Sequence, residues 1–115
     1  MTIKEDVKDG IAVLKCKGNL VSDGDTSKIK DKIHSLVEDD VKKVVIDLGD
    51  VNFINSSGLG SLISVHTTLQ KSGGELRLAR VGDKVQNLFV ITQLVKVFDT
   101  YETVERALGT FGKKK

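Results

Sequence analysis

Hydrophobic and polar residues follow two different spacings in the first part of the chain. Residues 3–8 and 11–17 flank Asp9-Gly10, a dipeptide that suits a tight turn because glycine tolerates positive φ. We interpret these two segments as the strands of a hairpin. From Asp25 onward, apolar residues recur every three or four positions among lysines and aspartates, and this spacing predicts an amphipathic helix. The apolar positions of that helix are Ile29, Ile33, Leu36 and Val37.

Three more segments of the chain have the pattern of strands. Residues 44–48 form a mainly β-branched run without alternation, which is typical of a strand covered on both faces in a parallel sheet. Residues 76–78 alternate apolar and charged side chains and predict a fourth strand. Residues 95–98 predict a short fifth strand.

Three further helices are predicted between and after these strands. The second helix ends at Gly73-Gly74, where positive φ can stop it. We expect Asp83 to cap the third helix, and Asp99 or Thr100 to cap a fourth that ends before Gly109. The inward positions are Leu59, Leu62, Ile63, His66 and Leu69 in the second helix, Val85, Leu88 and Phe89 in the third, and Val104, Ala107 and Leu108 in the fourth.

The predicted order of elements is β-β-α-β-α-β-α-β-α. Strands separated by helices of this length favour right-handed crossovers and a parallel sheet, and the first hairpin adds an antiparallel strand. The chain is therefore predicted to be a single α/β domain with a mainly parallel sheet of about five strands, an N-terminal hairpin and four helices. In such sheets, ligands and partners are met outside the carboxyl ends of the strands. The corner that follows residues 44–48 is such a place.

The distribution of charge argues against a nucleic-acid partner. The formal charge is +2 and the pI is about 8.7, but Lys113, Lys114 and Lys115 form a basic C-terminal tail. Without this tail, residues 1–112 carry a formal charge of −1, so we expect no clustered basic face for a phosphate backbone. The chain has neither an apolar run long enough to span a membrane nor a signal-peptide core, and we expect it to be cytoplasmic.

Few residues are suited to metal or thiol chemistry. Cys16 is the single cysteine and lies in an apolar run, where a small buried side chain is expected rather than a reactive thiol. His34 and His66 are the two histidines, and their wide spacing from each other and from Cys16 predicts no zinc site. We expect neither a metal nor a cofactor.

Residues 51–60, with the sequence VNFINSSGLG, carry the candidate chemistry. Asn55 or Ser56 can cap the helix that follows, and Gly58 and Gly60 open the backbone of its first turn to close approach. Free N–H groups and the helix dipole favour negative charge there, so a phosphate on Ser56 would be accommodated. An ordinary helix cap, with glycines for helix-to-sheet packing, accounts for the same residues, and the physical chemistry of the motif leaves both interpretations open.

A longer stretch of sequence surrounds this motif in a recognisable order. Residues 44–54 form a hydrophobic strand and an aspartate-containing turn, and they precede Asn-Ser-Ser-Gly-Leu-Gly at residues 55–60. Further segments of the same kind are Gly18-Asn19-Leu20, Gly73-Gly74-Glu75-Leu76 and Val85-Gln86-Asn87-Leu88-Phe89. Together they resemble STAS domains of the anti-sigma-factor antagonist type over about residues 3–108. We therefore interpret residues 1–112 as one STAS domain, followed by the tail at 113–115.

The resemblance implies a regulatory switch rather than an enzyme. In the family, the unmodified antagonist binds an anti-sigma factor that is also a serine protein kinase, and this frees the sigma factor for transcription. The kinase phosphorylates the first serine of the motif, which is Ser56 here, and the complex dissociates; a phosphoserine phosphatase restores the original form. The partner-binding residues implied are Asn55, Ser56, Ser57, Gly58, Leu59 and Gly60, with Val21, Ser22 and Asp23 after the second strand.

Two positions depart from the family pattern. Asn55 stands where the family usually has aspartate before the acceptor serine, and Val21 stands where it usually has aspartate after the second strand. Both changes remove negative charge near Ser56. They lead to two hypotheses, a diverged kinase or constitutive binding with little phosphorylation. Val21, Val51 and Leu59 are expected either to form an apolar patch beside Ser56 or to belong to the core.

Three other functions fit the residues less well. Asp47 ends a buried strand, as the acceptor of a phosphoaspartate receiver does, but the first strand is not followed by an acidic metal-binding cluster. His66 is predicted to lie roughly 15 Å along the helix from Ser56, too far for a hydrolytic pair. Neither Gly58-Leu59-Gly60 nor Ser72-Gly73-Gly74 has the spacing of a phosphate-binding loop.

The alternative that the sequence leaves open is a STAS subunit of another assembly, such as a lipid-transport complex or a stress-sensing complex. Both interpretations predict a protein-binding domain that contacts neither nucleic acid nor membrane directly. We expect the chain to be a monomer or a weak dimer.

Overall fold

Strands and helices alternate along residues 1–111, which are the residues that this computed structural model describes. The strands are β1 (Thr2–Lys8), β2 (Ile11–Lys17), β3 (Lys43–Asp50), β4 (Glu75–Ala79) and β5 (Asp99–Tyr101). The helices are α1 (Asp23–Glu38), α2 (Ser56–Lys71), α3 (Asp83–Ile91) and α4 (Val104–Phe111), with a short 3-10 helix at Leu94–Lys96. The tail at 113–115 and the predicted domain end at residue 112 lie outside the described residues.

The N-terminal hairpin forms because Asp9 and Gly10 both adopt positive φ, 56° and 78°, as a two-residue turn between twisted strands requires. The turn pairs β1 with β2 in antiparallel register, with Lys8 opposite Ile11. The other strands pair in parallel, and the sheet order is β1-β2-β3-β4-β5. The predicted α/β fold and its order of elements are therefore confirmed.

The two faces of the sheet are covered by different helices. Leu14 of β2 belongs to the main core with residues of α1, α2 and α3, whereas its neighbour Val13 packs on the side of α4. On that second side, Ala107 and Phe111 of α4 form a smaller core with Val45. β3 lies between the two layers and is buried from residue 44 to 48, as its continuous apolar run predicts.

The fifth strand lies later in the chain than predicted. β5 pairs with residues 77–79 of β4, whereas the predicted segment at 95–98 begins inside the 3-10 helix. The prediction was wrong because Val95 and Val97 suggested a strand by their branched side chains, although each is 41% exposed. Phe98 alone of this segment enters the core, where its ring packs 5.4 Å from that of Phe89.

The predicted cap of α3 is also wrong. Gly82 occupies the position before the helix and provides no side-chain cap, and Asp83 is the first helical residue. A carboxylate in this first turn still faces the positive end of the helix dipole.

The predicted cap and end of α4 differ from the structure as well. Asp99 and Thr100 belong to β5, and the cap is Thr103, whose hydroxyl accepts the N–H of Arg106 at 3.0 Å. The helix continues through Gly109 to Phe111, because Phe111 is buried against the second face of the sheet. The sequence predicted that α4 ends before Gly109, but the packing of Phe111 outweighs the low helix propensity of this glycine.

The inward face of α2 is rotated slightly from the predicted one. Ile63 was expected to face the core, but it is 39% exposed, whereas Val65 is buried. Leu62 and Leu69 are buried as predicted. The rotation brings Ser61 inward, where its hydroxyl donates a hydrogen bond to the Gly58 carbonyl at 2.7 Å.

Candidate functional site

Two loops lie side by side at the carboxyl ends of β2 and β3. One is the β2–α1 loop, residues 18–22, and the other is residues 51–55, which lead from β3 into α2. The N–H of Leu20 donates to the Phe53 carbonyl at 3.1 Å, and Leu20 forms an isolated parallel bridge with Ile54. We call residues 55–60, at the end of the second loop, the Ser56 corner. Its position next to the β2–α1 loop is fixed by backbone hydrogen bonds.

Gly58 is required where the two loops touch. A Cβ on Gly58 would collide with the Leu20 carbonyl oxygen and with the side chain of Ile54. Glycine therefore lets α2 begin in direct contact with the β2–α1 loop. This supports the interpretation of Gly58 as a residue for close packing within the domain.

Asn55 joins the two loops through both ends of its carboxamide. Its Oδ1 accepts the N–H of Gly58 at 2.9 Å, which caps α2 as predicted. Its Nδ2 donates to the carbonyl oxygen of Val21, also at 2.9 Å. An aspartate could make the first of these bonds but, when ionised, not the second, because a carboxylate has no hydrogen to donate. The asparagine is thus a structural link between Val21 and α2.

Ser56 and Ser57 lie exposed in the first turn of α2. Within residues 1–111, neither hydroxyl takes part in a hydrogen bond, so both are accessible from solvent. The first turn of α2 holds no acidic side chain. The corner therefore presents two free hydroxyls at the positive end of a helix dipole, in a setting that tolerates added negative charge.

The β2–α1 loop ends in a capping box. The Ser22 hydroxyl accepts the N–H of Asp25 at 3.1 Å, and the Asp25 carboxylate accepts the N–H of Ser22 at 3.3 Å. The Ser22 hydrogen bond and the amino group of Met1, 3.2 Å away, lower the pKa of Asp25 from 3.8 to about 2. Asp23 is exposed at the start of α1. The loop thus has a single unpaired carboxylate facing solvent, on Asp23, among residues 18–25.

The apolar residues near the corner divide differently from the expected patch. Val51 is buried and belongs to the core, because it turns inward directly after β3. Val21 and Leu59 are half-buried. Phe53, which was not among the residues predicted for this patch, is 51% exposed. The signal for it was an aromatic residue after the polar Asn52, in a loop that precedes a helix cap.

An ion pair between the buried Asp47 and the partly exposed Arg80 supports the start of the β3–α2 loop. Asp47 is 4% exposed, and its Oδ1 accepts the N–H of Gly49 at 2.9 Å and lies 3.4 Å from the Nε of Arg80. Arg80 also reaches Asp50, with its Nη2 3.7 Å from Oδ1. The guanidinium lies over Gly49, where a Cβ would collide with it. No pattern in the sequence pointed to Arg80, since β4 and β3 become neighbours only in the folded sheet.

Of the remaining candidate residues, Cys16 and His66 lie in the core or at its border, and His34 does not. Cys16 is fully buried as predicted, and burial, with a smaller contribution from the charge of Asp47, raises the pKa of its thiol to about 12. The ring of His66 lies edge-on to Phe98 at 5.6 Å, and its Nδ1 is buried without a hydrogen-bond partner among the described residues. His34 is exposed on α1. Neither histidine is brought to Ser56 by a contact in residues 1–111.

Residues 1–111 offer neither a cluster of metal ligands nor a helix suited to crossing a membrane. No three His, Cys, Asp or Glu side chains within that range gather as a metal ligand set would. None of the helices in the same range combines the length and the apolar character needed to cross a bilayer.

The sequence and the fold were compared with known proteins. The model of the STAS domain family matches residues 2–107. A protein of Bordetella bronchiseptica named as an anti-sigma factor antagonist, BtrV, is 26% identical over 96% of this chain and 95% of its own length. Four further relatives, from Thermotoga, Bacillus and Paenibacillus species, bear the same kind of name and match over 50% to 64% of their own lengths.

Solved structures of such proteins share the fold. The crystal structure of an anti-sigma factor antagonist from Mycobacterium paratuberculosis has a TM-score of 0.79 and 29% identity, covering 95% of this chain and 92% of that one. The crystal structure of a Thermotoga maritima protein also named as an anti-sigma factor antagonist has a TM-score of 0.86 at 21% identity, covering 94% of this chain and 92% of that one. The names of these proteins are those of regulators and not of enzymes, in agreement with the prediction from sequence.

Proposed function

Because this chain belongs to the STAS domain family, we propose that it is an anti-sigma-factor antagonist controlled by phosphorylation of Ser56. In this proposal it binds, in the cytoplasm, an anti-sigma factor that is also a serine protein kinase, and thereby frees a sigma factor. Phosphorylation of Ser56 releases the anti-sigma factor, and a phosphoserine phosphatase reverses the change. The observation that carries the proposal is the exposed Ser56 hydroxyl in the first turn of α2, beside a loop tied to the same corner by Asn55.

The chemistry of the switch follows from the local charge. Residues 51–70 contain no Asp, Glu, Lys or Arg, so the Ser56 corner has no formal charge of its own. A phosphate adds about −1.5 to −2 charges and a bulky group to this surface. A partner fitted to the uncharged form would then have to desolvate the phosphate without a counter-ion, and a penalty of about 3 kcal/mol weakens binding more than a hundredfold.

Asn55 and Val21 bear on which partner the corner would accept. The family's aspartates would place two carboxylates near Ser56, whereas here the side chain of Asn55 is engaged with Gly58 and the Val21 carbonyl. This supports a partner that recognises the backbone and hydroxyl groups of the corner and does not depend on carboxylates at these two positions. A diverged kinase of this kind fits the proposal, and constitutive binding with little phosphorylation is the competing hypothesis.

A phosphorylation assay separates these two hypotheses. The chain is incubated with each purified serine kinase of the anti-sigma-factor type from its own organism and with ATP, and intact mass and fragment spectra are recorded. We expect one phosphate on Ser56, no phosphate on the Ser56→Ala variant, and normal phosphorylation of Ser57→Ala. If Ser56 is left unmodified by every such kinase, the switch is wrong.

A binding measurement tests the partner directly. The anti-sigma factor that modifies Ser56 is titrated with the unmodified chain, with Ser56→Ala and with Ser56→Asp. We expect the dissociation constant of Ser56→Ala to lie within about threefold of that of the unmodified chain. We expect Ser56→Asp to bind at least about tenfold more weakly, because the added charge opposes docking. Equal binding of all three chains would favour the alternative, an interaction subunit of another assembly without switching.

A further inference from the structure

The exposed side of α2 carries no formal charge from Ser56 to Gln70, and the exposed Lys71 is the last residue of the helix. Five of the exposed residues follow one another at spacings of three and four, which places them on one face of the helix. We call this set the uncharged face; its members are Ser56, Gly60, Ile63, Thr67 and Gln70. Asp, Glu, Lys and Arg make up 30% of the chain, so a helix face without any of them is unusual for this molecule. It begins at the proposed acceptor and ends at Gln70, next to the charged Lys71.

Gly60 is the residue of this face that the fold itself does not explain. A Cβ at Gly60 would meet no atom within 4 Å, and the backbone there is not in the left-handed region that favours glycine. Gly58, two residues earlier, is needed because a side chain would collide with Leu20. Glycine is among the least stabilising residues inside a helix. Alanine at position 60 would therefore fit this domain better than glycine does.

We propose that Gly60 is a point of close approach by the partner, and that the docking surface continues from the Ser56 corner along the uncharged face to Gln70. This inference rests on the proposed function, and the occupant is the anti-sigma factor. The missing side chain at Gly60 lets a backbone or a flat apolar surface come near α2. Ile63, 39% exposed one turn further along, and Phe53, 51% exposed before the helix, supply apolar area for the contact.

The chemistry of the occupant follows from the absence of charge. The cores of protein interfaces are depleted of charged residues, because ions buried without partners lose their hydration. A partner that presented lysine or glutamate to the uncharged face would find no counter-ion in residues 51–70. Complementarity therefore selects an uncharged and largely apolar surface on the anti-sigma factor.

Two glycine variants separate binding from stability. Gly60→Ala changes the uncharged face, and Gly109→Ala is the matched control, since Gly109 is also exposed within a helix and its Cβ would also meet no atom within 4 Å. Gly109 lies on α4, which covers the opposite face of the sheet. We expect both variants to melt a few degrees higher than the parent, by about 2–6 °C, because alanine is the better helix former.

Binding is then measured by calorimetry with the purified anti-sigma factors of the source organism. We expect Gly60→Ala to bind at least about tenfold more weakly, because a methyl group at a closely packed contact must be accommodated by displacement. We expect Gly109→Ala to bind as the parent does. Thr67→Lys, which places a charge on the uncharged face three turns from Ser56, is expected to weaken binding by a similar factor, whereas Gly109→Lys does not.

The possible failures differ from one another. A lower melting temperature for Gly60→Ala would show a role of this glycine inside the domain and overturn the inference. Equal affinities for the parent, Gly60→Ala and Thr67→Lys would overturn it while the proposed function stands. Failure of every anti-sigma factor to bind the parent chain overturns both. A parent chain that sediments as a dimer, with Gly60→Ala a monomer, would assign the face to a second copy of this chain and likewise overturn the inference.

Discussion

At the scale of single residues, Asn55 makes two hydrogen bonds, where an aspartate would make one of them and carry a charge. A carboxylate at this position would cap α2 and add negative charge beside Ser56, whereas the carboxamide caps α2 and also holds the carbonyl of Val21. The bond to Val21 spans 34 residues of sequence, so one side chain orders both sides of the site. The Ser56 corner therefore has a hydrogen-bond donor to Val21 at a position where an aspartate would supply a charge.

Asn55→Asp should lower the free energy of unfolding at pH 7 by about 1 kcal/mol. The variant keeps the cap but loses the bond to Val21 and sets an anionic oxygen near that carbonyl. Asn55→Ala loses both bonds and should cost about 1 kcal/mol more. Urea titrations followed by circular dichroism measure the three chains. An Asp variant as stable as the parent would show that the Val21 bond contributes nothing.

Arg80 is the second residue with a testable role in stability. Its side chain stabilises the fold, whereas its backbone conformation is unfavourable. It neutralises the buried Asp47, but its φ of 57° is unfavourable for any residue with a side chain. Arg80→Ala should lower the free energy of unfolding by about 2 kcal/mol, a value reduced because the guanidinium is partly screened by solvent. Arg80→Gly should recover about 1 kcal/mol of this by relieving the backbone. Equal losses for the two variants, in the same urea titration, would contradict the backbone part of the argument.

At the scale of secondary-structure elements, the N-terminal caps of α1 and α2 determine how the site is arranged. α1 begins with the Ser22–Asp25 capping box and α2 with Asn55, and both caps lie in loops that touch each other. Each cap satisfies backbone N–H groups that the first turn of a helix leaves free. The loops are therefore fixed at their helical ends as well as by their mutual hydrogen bonds.

The capping box of α1 predicts a dependence of stability on pH. The pKa of Asp25 is lowered from 3.8 to about 2, so its ionised form stabilises the folded chain above about pH 4. This contribution should be lost progressively as the pH falls from about 4 to 2, when the carboxylate is protonated in the folded state too. Thermal melts between pH 2 and 6 would measure it. Asp25→Asn should show a smaller decline over this interval, and an identical decline would refute the assignment to Asp25.

At the scale of the whole molecule, the site lies at the carboxyl ends of the inner strands β2 and β3, outside the core. Ser56 is exposed, while the residues around it that hold the loops together are Leu20, Ile54 and Gly58, all buried. A group added to Ser56 extends into solvent at the positive end of the α2 dipole. A modification there should change what the surface binds without changing the fold.

Phosphorylated and unmodified chains should accordingly unfold alike. We expect melting temperatures within about 3 °C of each other and superimposable far-ultraviolet circular dichroism spectra, because the phosphate meets a helix N-terminus rather than the core. Ser57→Ala, phosphorylated in parallel, controls for the neighbouring hydroxyl. A melting temperature of the phosphorylated chain more than about 10 °C below that of the unmodified chain would mean that the partner is released through loss of structure.

Local pattern and long-range pairing contributed differently to what could be predicted from the sequence. The Asp9-Gly10 turn, the stripe of α1 and the cap at Asn55 depend on residues close together in the chain, and all were predicted correctly. β5 was misplaced because its position is set by pairing with β4, which no local preference encodes. The same holds for the second hydrogen bond of Asn55 and for the ion pair of Asp47 with Arg80. The candidate residues could therefore be named from the sequence, and their role stays a prediction, whereas the contacts that hold them could not be predicted.

The two outer strands of the sheet bear on how the protein behaves at high concentration. β1 is exposed along most of its length and includes Lys4, Glu5, Asp6 and Lys8, and β5 has only three residues. Charged or very short edge strands are poor templates for the addition of another strand. Growth of the sheet from chain to chain is disfavoured at both edges, which protects the protein from aggregating into fibres.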